Sequence, residues 1–204
     1  MADAPPSPPL LLASTSPQRK AILEKLHIPF DVVAPKYEET NPELADAVEV
    51  VRAHAREKAR SVVDIAEDRP VLGVDTAVVL ADDTVLGKPA DAAAARAMLA
   101  RLQGAEHRVM SGLALLADGR KLVGHAETAV RFRPLTTAEI DTYVAAGEWE
   151  GRAGAYAIQG LGAGLVSGID GDYANVVGLP VALLVATLAE LGYASLAGKP
   201  PGAG

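Results

Sequence analysis

The chain alternates short apolar runs with segments of helical periodicity, and this alternation limits the possible folds more than any other feature. Apolar runs bounded by turn residues are typical of buried strands, whereas apolar residues spaced three and four apart are typical of helices. Strands that alternate with helices predict an α/β fold. Strands are expected at Leu10–Ala13, Phe30–Ala34, Val71–Leu80, His107–Ala117, Leu122–Phe132 and Gly164–Ile169. Helices are expected at Pro17–Leu26, Pro42–Ala66, Asp91–Leu102, Thr136–Ala146 and Leu179–Leu191.

A hairpin and the chain length set the expected organisation. Asp118-Gly119 separates the two long strands around it and predicts a tight turn. One hairpin among helix-connected strands indicates a mixed sheet. A chain of 204 residues suffices for one domain, which we place at residues 8–196. Residues 1–7 and 197–204 are rich in Pro, Gly and Ala and are expected to be disordered tails.

Composition excludes several classes of protein. A net charge of −7 argues against a protein that coats nucleic acid, although it permits a local basic pocket for a small polyanion. The lack of cysteine excludes a disulfide framework and thiolate metal sites. No apolar run approaches membrane-spanning length, and the N-terminal segment does not resemble a signal peptide. We therefore expect a soluble, cytoplasmic protein with no membrane partner.

The turn after the first strand combines hydroxyl residues with a basic helix start. Ser14, Thr15 and Ser16 precede Pro17, and Arg19 follows within the first helical turn. Ser16 is a candidate N-cap, and Pro17 suits the first helical position. A helix start carries free N–H groups and partial positive charge, so it attracts anions. The turn is either a phosphate site or an ordinary capped connection between strand and helix.

Two charged residues interrupt apolar patterns. Lys58 falls within the apolar stripe of the long helix, so it either reaches water from the stripe edge or projects into a polyanion pocket. Asp75 lies inside the apolar run Val71–Leu80, where an unpaired carboxylate would cost several kcal/mol. Asp75 is therefore expected to be hydrogen-bonded, paired or metal-bound, and both a structural pair and a functional acid remain open.

Three further positions are candidates for a site. Lys88 is flanked by Gly and Pro, so it is either held in place or an ordinary solvated loop lysine. Glu39 follows Glu38 in the loop before the long helix; the pair either faces solvent or, if Asp75 lies near, belongs to a metal site, since Mg²⁺ favours carboxylates together with substrate phosphates. Gln159 lies in a glycine-dense segment, where its amide either reads a base edge or serves only the loop.

Nucleophilic catalysis by the protein has no support in the sequence. The four histidines show no spacing typical of a zinc site, and no nucleophile elbow or Ser-His-Asp order is visible. Acids and cations together favour a metal-assisted attack of water on a phosphate ester.

Seven motifs occur in order from Leu10 to Leu191. They are LASTSPQR, the Glu39 loop, AREKA (Ala55–Ala59), GVDT (Gly73–Thr76), LGKP (Leu86–Pro89), GAYAIQG (Gly154–Gly160) and NVVGLP (Asn175–Pro180). In this order they resemble the Maf family of nucleoside triphosphate pyrophosphatases, also called septum formation inhibitor proteins. The resemblance implies a mixed twisted sheet flanked by helices, similar to the inosine triphosphate pyrophosphatases, with a nucleotide cleft and a homodimer. The implied reaction cleaves a nucleoside triphosphate to the monophosphate and pyrophosphate.

The same resemblance implies roles for individual residues. Asp75 is similar to the family's catalytic acid/base, and Glu39 with Asp75 to the carboxylates that hold a divalent metal, Mg²⁺ or Mn²⁺. The residues that resemble triphosphate contacts are Ser14, Ser16, Arg19, Lys58 and Lys88.

Base preference differs between branches of this family. Thr76 and Gln159 match a branch that prefers dTTP and UTP, whereas a 7-methyl-GTP branch usually carries Gln and Glu at these positions. Gln18 matches neither, because the first branch commonly has Arg there and the second has Trp. A neutral amide lacks the charge and the bidentate fork of a guanidinium, which leaves the preferred base open. A nucleotide-binding regulator of cell division with weak hydrolysis is the alternative function.

Overall fold

The computed structural model describes residues 8–39 and 46–193, which build one seven-stranded mixed sheet flanked by helices. The strands are β1 (Leu10–Ala13), β2 (Phe30–Val33), β3 (Val71–Val79), β4 (Val85–Leu86), β5 (Glu106–Ala117), β6 (Arg120–Phe132) and β7 (Val166–Asp170). The α-helices are α1 (Pro17–Lys25), α2 (Ala47–Arg60), α3 (Ala92–Leu102), α4 (Thr137–Ala145), α5 (Tyr173–Val177) and α6 (Val181–Glu190). Short 3₁₀ helices lie at Val63–Ile65, Ala153–Ala155 and Gly160–Leu165.

The sheet has a gap beside its central strand. The strand order is β2-β1-β3-β5-β6-β7, with β1 parallel to both β2 and β3 and the other pairs antiparallel. On one edge of β3, β1 pairs only as far as Gly73, and the short β4 pairs from Val78 onward. Among the described residues, positions 74–77 of β3 therefore have a strand neighbour on the β5 side alone. The chain segments that follow β1 and β4 both converge on this gap.

Side chains of the strands alternate between two cores. One face of the sheet packs leucines of β1, β3 and β5 against α1 and α6, with Leu12, Leu72 and Leu184 among the buried residues. The opposite face carries smaller side chains, such as Ala13 and Ala114, against α2. Because successive strand residues point to opposite faces, Asp75 faces α2 and Thr76 faces away from it.

Two glycines let α2 lie unusually close to the sheet. A Cβ on Gly73 would lie 2.1 Å from the carbonyl oxygen of Ala55, and one on Gly112 would lie 2.0 Å from that of Val51. Gly112 is the cross-strand partner of Asp75. The helix backbone thus rests directly on β3 and β5, next to Asp75.

Most predicted elements are present, with corrections at several ends. The α-helix predicted over Pro42–Ala66 covers Ala47–Arg60 and is followed by a separate 3₁₀ turn, while its first residues lie outside the described part. The strand predicted from Gly164 is wrong at its start, since a 3₁₀ helix runs to Leu165. The predicted turn at Asp118-Gly119 is confirmed, with φ values of 52° and 71° that suit a type I′ hairpin.

Two expectations concern regions beyond these elements. The tails predicted at residues 1–7 and 197–204 lie outside the described residues. Within residues 8–39 and 46–193, none of the helices has both the length and the apolar character needed to cross a bilayer.

Candidate active site

A cleft of about 320 Å³ opens at the gap beside β3. One wall is the turn from β1 into α1, and the floor includes Thr76 and Val78 of β3. The opposite wall combines Lys88, which follows β4, with the segment 151–159. Lys58 and Glu39 close one end. The topology therefore brings distant parts of the sequence to one cavity.

Arg19 is the most firmly held cation in the cleft. Its Nε donates to the carbonyl oxygen of Gly178 at 2.9 Å, Nη1 to Ser14 Oγ at 3.1 Å, and Nη2 to Thr76 Oγ1 at 3.3 Å. Burial lowers the pKa of Arg19, and the charges of Asp75 and Glu39 oppose that shift. A guanidinium stays protonated at neutral pH, so the cleft contains a fixed positive charge.

The hydroxyls of the β1 turn bond within the turn. Ser14 Oγ accepts from the backbone N–H of Ser16 at 3.2 Å, and Ser16 Oγ donates to Gln18 Oε1 at 3.2 Å. Ser16 occupies the predicted N-cap position and Pro17 follows it, but the Ser16 side chain makes no capping hydrogen bond. The capping prediction is thus right for position and wrong for the bond, because Gln18 engages the hydroxyl.

Lys58 and Asp75 form a buried ion pair at the closed end of the cleft. Lys58 Nζ lies 2.6 Å from Asp75 Oδ1 and also 2.6 Å from Glu39 Oε1. The other carboxylate oxygen of Asp75, Oδ2, lies 3.2 Å from Nδ1 of His54. Lys58 is 6% exposed and Asp75 7%, whereas the Glu39 side chain is about half exposed. Both oxygens of Asp75 are therefore engaged.

The protonation of Asp75 follows from these contacts. Burial by itself would raise the pKa of Asp75, but the hydrogen bond with His54 and the charge of Lys58 outweigh it. The balance lowers the pKa to about 2. Asp75 is therefore a carboxylate at any physiological pH.

The segment that carries Gln159 is held from behind by two side chains. Tyr143 Oη accepts the backbone N–H of Ala157 at 3.0 Å. The carboxylate of Glu148 accepts the N–H groups of Leu161 at 3.0 Å and Gly162 at 3.2 Å. These bonds satisfy backbone donors on either side of Gln159, which lines the cleft with an exposed side chain. The Gln159 amide is thus presented by a positioned loop.

The sequence matches the profile of the family described as "Maf-like protein" over residues 9–191. The chain belongs to this family. Its mixed sheet with flanking helices has the fold that the motif resemblance implied.

Several curated proteins resemble this Maf-like chain over nearly its whole length. One named dTTP/UTP pyrophosphatase, from Symbiobacterium thermophilum, is 47% identical over 184 residues, covering 90% of this chain and 94% of the relative. A second of that name, from Alcanivorax borkumensis, is 47% identical and covers 84% and 90%. A third, from Halalkalibacterium halodurans, is 46% identical and covers 92% and 98%.

In this Maf-like chain the cleft brings together the residues that the sequence singled out. Asp75 is adjacent to them but lies behind Lys58, with which it pairs. Lys88 is exposed on the cleft wall and has no ion-pair or hydrogen-bond partner among the described residues. The predicted residues that line the cleft are Ser14, Ser16, Gln18, Arg19, Glu39, Lys58, Thr76, Lys88 and Gln159.

His54 is a site residue that the sequence interpretation missed. The spacing of His54 from the other histidines indicates no site, and the informative spacing is the one from His54 to Lys58. The two are four residues apart on α2 and so share a face. That spacing, together with the polar character of both residues within an apolar stripe, was the available signal.

The donor set around Asp75 fits a divalent cation. Ligand atoms of Glu39, His54 and Asp75 all lie within 4.8 Å of one another. Two carboxylates and one imidazole suit Mn²⁺, and the carboxylates with phosphate oxygens suit Mg²⁺. The ammonium of Lys58 lies between the two carboxylates, so the arrangement already stabilises positive charge there.

Proposed function

We propose that this protein hydrolyses a nucleoside triphosphate to the nucleoside monophosphate and pyrophosphate. One observation carries the proposal: a cleft with the fixed Arg19 and the exposed Lys88 ends at the buried Asp75–Lys58 pair. Cations suited to phosphates thus meet a carboxylate suited to organising water or a metal. The names of the relatives point the same way, since all three are called dTTP/UTP pyrophosphatases.

We propose dTTP or UTP as the substrate. The relatives' names support this choice, and Thr76 and Gln159 are the residues that match the pyrimidine branch. Gln159 can donate and accept at a pyrimidine edge. Gln18, which accepts from Ser16 in the same cleft, is the residue that departs from the branch, and 7-methyl-GTP is the alternative substrate.

The reaction needs a water oxygen to attack the α-phosphorus while the bond from phosphorus to the α–β bridging oxygen breaks. Ser14, Ser16 and Arg19 bind and orient the phosphates from one wall, and Lys88 from the other. Lys58 is placed to neutralise negative charge that develops in the transition state. Asp75 orients the water, because a carboxylate with a pKa near 2 is a weak general base at neutral pH. Pyrophosphate is the leaving group.

We propose Glu39, His54 and Asp75 as the residues that hold the metal, with Mg²⁺ or Mn²⁺ as its identity. A bound divalent ion supplies Lewis-acid neutralisation of phosphoryl oxygens. Glu39 is the most accessible of the three, and its contact with Lys58 would be replaced by one with the ion.

The remaining expectations belong to the same proposal. We propose one catalytic domain over residues 8–196, acting in the cytoplasm as a homodimer on a free nucleotide. The net charge of −7 disfavours a nucleic acid polymer as partner. Light scattering of the purified full chain measures its molar mass in solution. A homodimer predicts twice the mass of one chain.

A nucleotide panel tests the proposed reaction. The protein is incubated with dTTP, UTP, CTP, ATP, GTP and 7-methyl-GTP plus Mg²⁺ or Mn²⁺, and the release of monophosphate and pyrophosphate is measured. We expect dTTP and UTP to be the best substrates. Repeating the panel on Gln18→Arg tests whether residue 18 contributes to base preference. An unchanged order of the nucleotides would show that Gln18 does not affect it.

The same panel separates the enzyme from its rival, a nucleotide-responsive regulator of cell division. The engagement of both Asp75 oxygens by His54 and Lys58 favours that rival, because a fully paired carboxylate suits binding without chemistry. Tight nucleotide binding with no product would support the regulator and contradict the proposed hydrolysis.

A further inference from the structure

Arg152 differs from every other arginine in the described part of the chain. Each of the others either donates a hydrogen bond to an oxygen, as Arg19 does in the cleft, or, like Arg60, lies within ion-pair distance of a carboxylate. Arg152 has neither an ion pair nor a side-chain hydrogen bond within residues 8–39 and 46–193. Its side chain nevertheless lines the cleft and is half-buried. An arginine without a partner at such a place is available for a ligand.

The backbone around Arg152 is firmly fixed. The N–H of Arg152 donates to the carbonyl oxygen of Trp149 at 3.1 Å, and its carbonyl accepts from the N–H of Ala155 at 3.1 Å. Gly154 and Ala155 both have positive φ, of 67° and 62°, and a Cβ on Gly154 would lie 2.8 Å from Val78. The guanidinium is therefore carried by a tight turn packed onto the floor of the cleft.

One hydrogen bond joins this turn to the loop of Lys88. The N–H of Gly154 donates to the carbonyl oxygen of Gly87 at 3.1 Å. Lys88 follows directly, lines the same cleft and also has no partner in the described residues. Two unpaired cations are thus held on one wall, opposite Arg19.

Glu148, an acid that acts on the same tyrosine as Arg152, is engaged elsewhere. Burial raises the pKa of Tyr143; the charge of Glu148 adds to this rise and the charge of Arg152 opposes it, so both charges act on the same hydroxyl. The Glu148 carboxylate accepts the N–H groups of Leu161 and Gly162, and it makes no ion pair with Arg152. No described carboxylate therefore forms an ion pair with Arg152, in a chain whose net charge is −7.

We propose that Arg152 is a further substrate-binding residue that, together with Lys88, grips the polyphosphate of the nucleotide. This inference rests on the proposed function and adds a residue that the motif resemblance did not assign. A guanidinium binds phosphate oxygens through two parallel N–H donors, and Lys88 adds a point charge beside it. With Arg19 opposite, the polyphosphate is held from both walls.

Binding of inorganic tripolyphosphate to the full-length protein tests the assignment without any chemistry. Calorimetric titration compares wild type, Arg152→Gln, Arg152→Lys and the matched control Arg120→Gln, which removes an arginine paired with Glu190 away from the cleft. We expect Arg152→Gln to weaken tripolyphosphate binding about tenfold to hundredfold. Arg152→Lys should fall between, and Arg120→Gln should match wild type. Since Arg152 has no described partner, the melting temperature of Arg152→Gln should equal that of wild type.

Turnover and UMP binding complete the test. With UTP, Arg152→Gln should raise KM about tenfold or more and leave kcat within about threefold, because a phosphate grip acts alike on ground and transition states. Binding of UMP should change less than that of tripolyphosphate. Wild-type affinity of Arg152→Gln for tripolyphosphate would overturn the inference, as would an equal loss for UMP. If the wild-type protein hydrolyses UTP, either of these results overturns the role of Arg152 and leaves the proposed function standing. If the wild-type protein turns over none of the nucleotides, the proposed function itself is contradicted.

Discussion

Lys58 sets the charge balance at the closed end of the cleft. Its ammonium contacts two carboxylates at 2.6 Å, and one of them belongs to the buried Asp75. A lysine on the apolar stripe of a helix is costly unless it meets an anion, and here it meets two. Lys58 therefore neutralises these two carboxylates and stands where a divalent ion would compete with it.

Replacing Lys58 separates these two effects. Lys58→Met leaves Asp75 without its ion pair and should lower the free energy of unfolding by about 3 kcal/mol. Mn²⁺ should then raise the melting temperature of Lys58→Met more than that of wild type, because the ion no longer competes with an ammonium. Lys121→Met, at an exposed position, is the control. Equal Mn²⁺ shifts in Lys58→Met and wild type would contradict a cation site between the carboxylates.

Helix α2 delivers His54 and Lys58 to Asp75 because two residues of the sheet beneath it are glycines, which have no side chains. Gly73 and Gly112 leave room for the carbonyl oxygens of Ala55 and Val51 to approach the strands. The distance between helix and sheet, and so the ion pair, depends on these two glycines. At the scale of elements, the close packing of α2 is part of the site.

A single methyl group tests this packing. Gly112→Ala would place a Cβ 2.0 Å from the Val51 oxygen, so α2 must move off the sheet. We expect a loss of about 1–3 kcal/mol in urea unfolding and a larger relative loss of turnover at a temperature where the variant is folded. Gly164→Ala, which meets open space, is the matched control. Wild-type turnover in folded Gly112→Ala would show that the helix position is unimportant.

The hydrogen bonds from Leu161 and Gly162 to Glu148, which hold the segment around Gln159, allow a second test at the scale of elements. Glu148→Gln replaces a carboxylate that accepts two backbone N–H groups by a neutral amide with one acceptor oxygen. We expect the ratio of kcat/KM for UTP over CTP to fall several-fold, while tripolyphosphate binding stays near that of wild type. An unchanged ratio would mean that Glu148 supports the loop without affecting base selection.

At the scale of the whole molecule, the sequence predicted the elements better than their arrangement. The turn from β1 to α1 and the acid in β3 were readable because local chemistry marks them. The gap beside β3 was not, since it depends on β1 stopping at Gly73 and on the two-residue β4 pairing further along. The sequence did not indicate Arg152, because what distinguishes it is the lack of a partner among the described residues. That lack becomes visible only in the folded structure.

The stability of the fold at acid pH depends on the buried His107, which is separate from the Asp75 site. His107 packs edge-on against Phe132 and Tyr156, and burial lowers its pKa from 6.5 to about 4. The unfolded chain binds the proton first, so this contribution is complete above about pH 6.5 and is lost as pH falls toward 4. The full loss is about 3 kcal/mol.

Urea unfolding at pH 7.5 and 4.5 measures this contribution. We expect wild type to lose about 2–3 kcal/mol more than His107→Phe over this interval. His125→Gln, at an exposed position, should behave like wild type. The low pKa of Asp75 acts in a more acidic window, so it does not confuse the comparison. If the free energy of unfolding falls equally with pH in wild type and His107→Phe, His107 does not contribute to the loss of stability in acid.

The most direct test of the central claim identifies the products of wild type and Asp75→Asn. Each protein is incubated with UTP and Mg²⁺, and phosphorus NMR follows the products while circular dichroism verifies the fold. We expect wild type to yield UMP and pyrophosphate in equal amounts, and folded Asp75→Asn to yield neither at a measurable rate. Release of UDP and orthophosphate by wild type, or turnover near the wild-type rate by folded Asp75→Asn, would contradict a pyrophosphatase site built on Asp75.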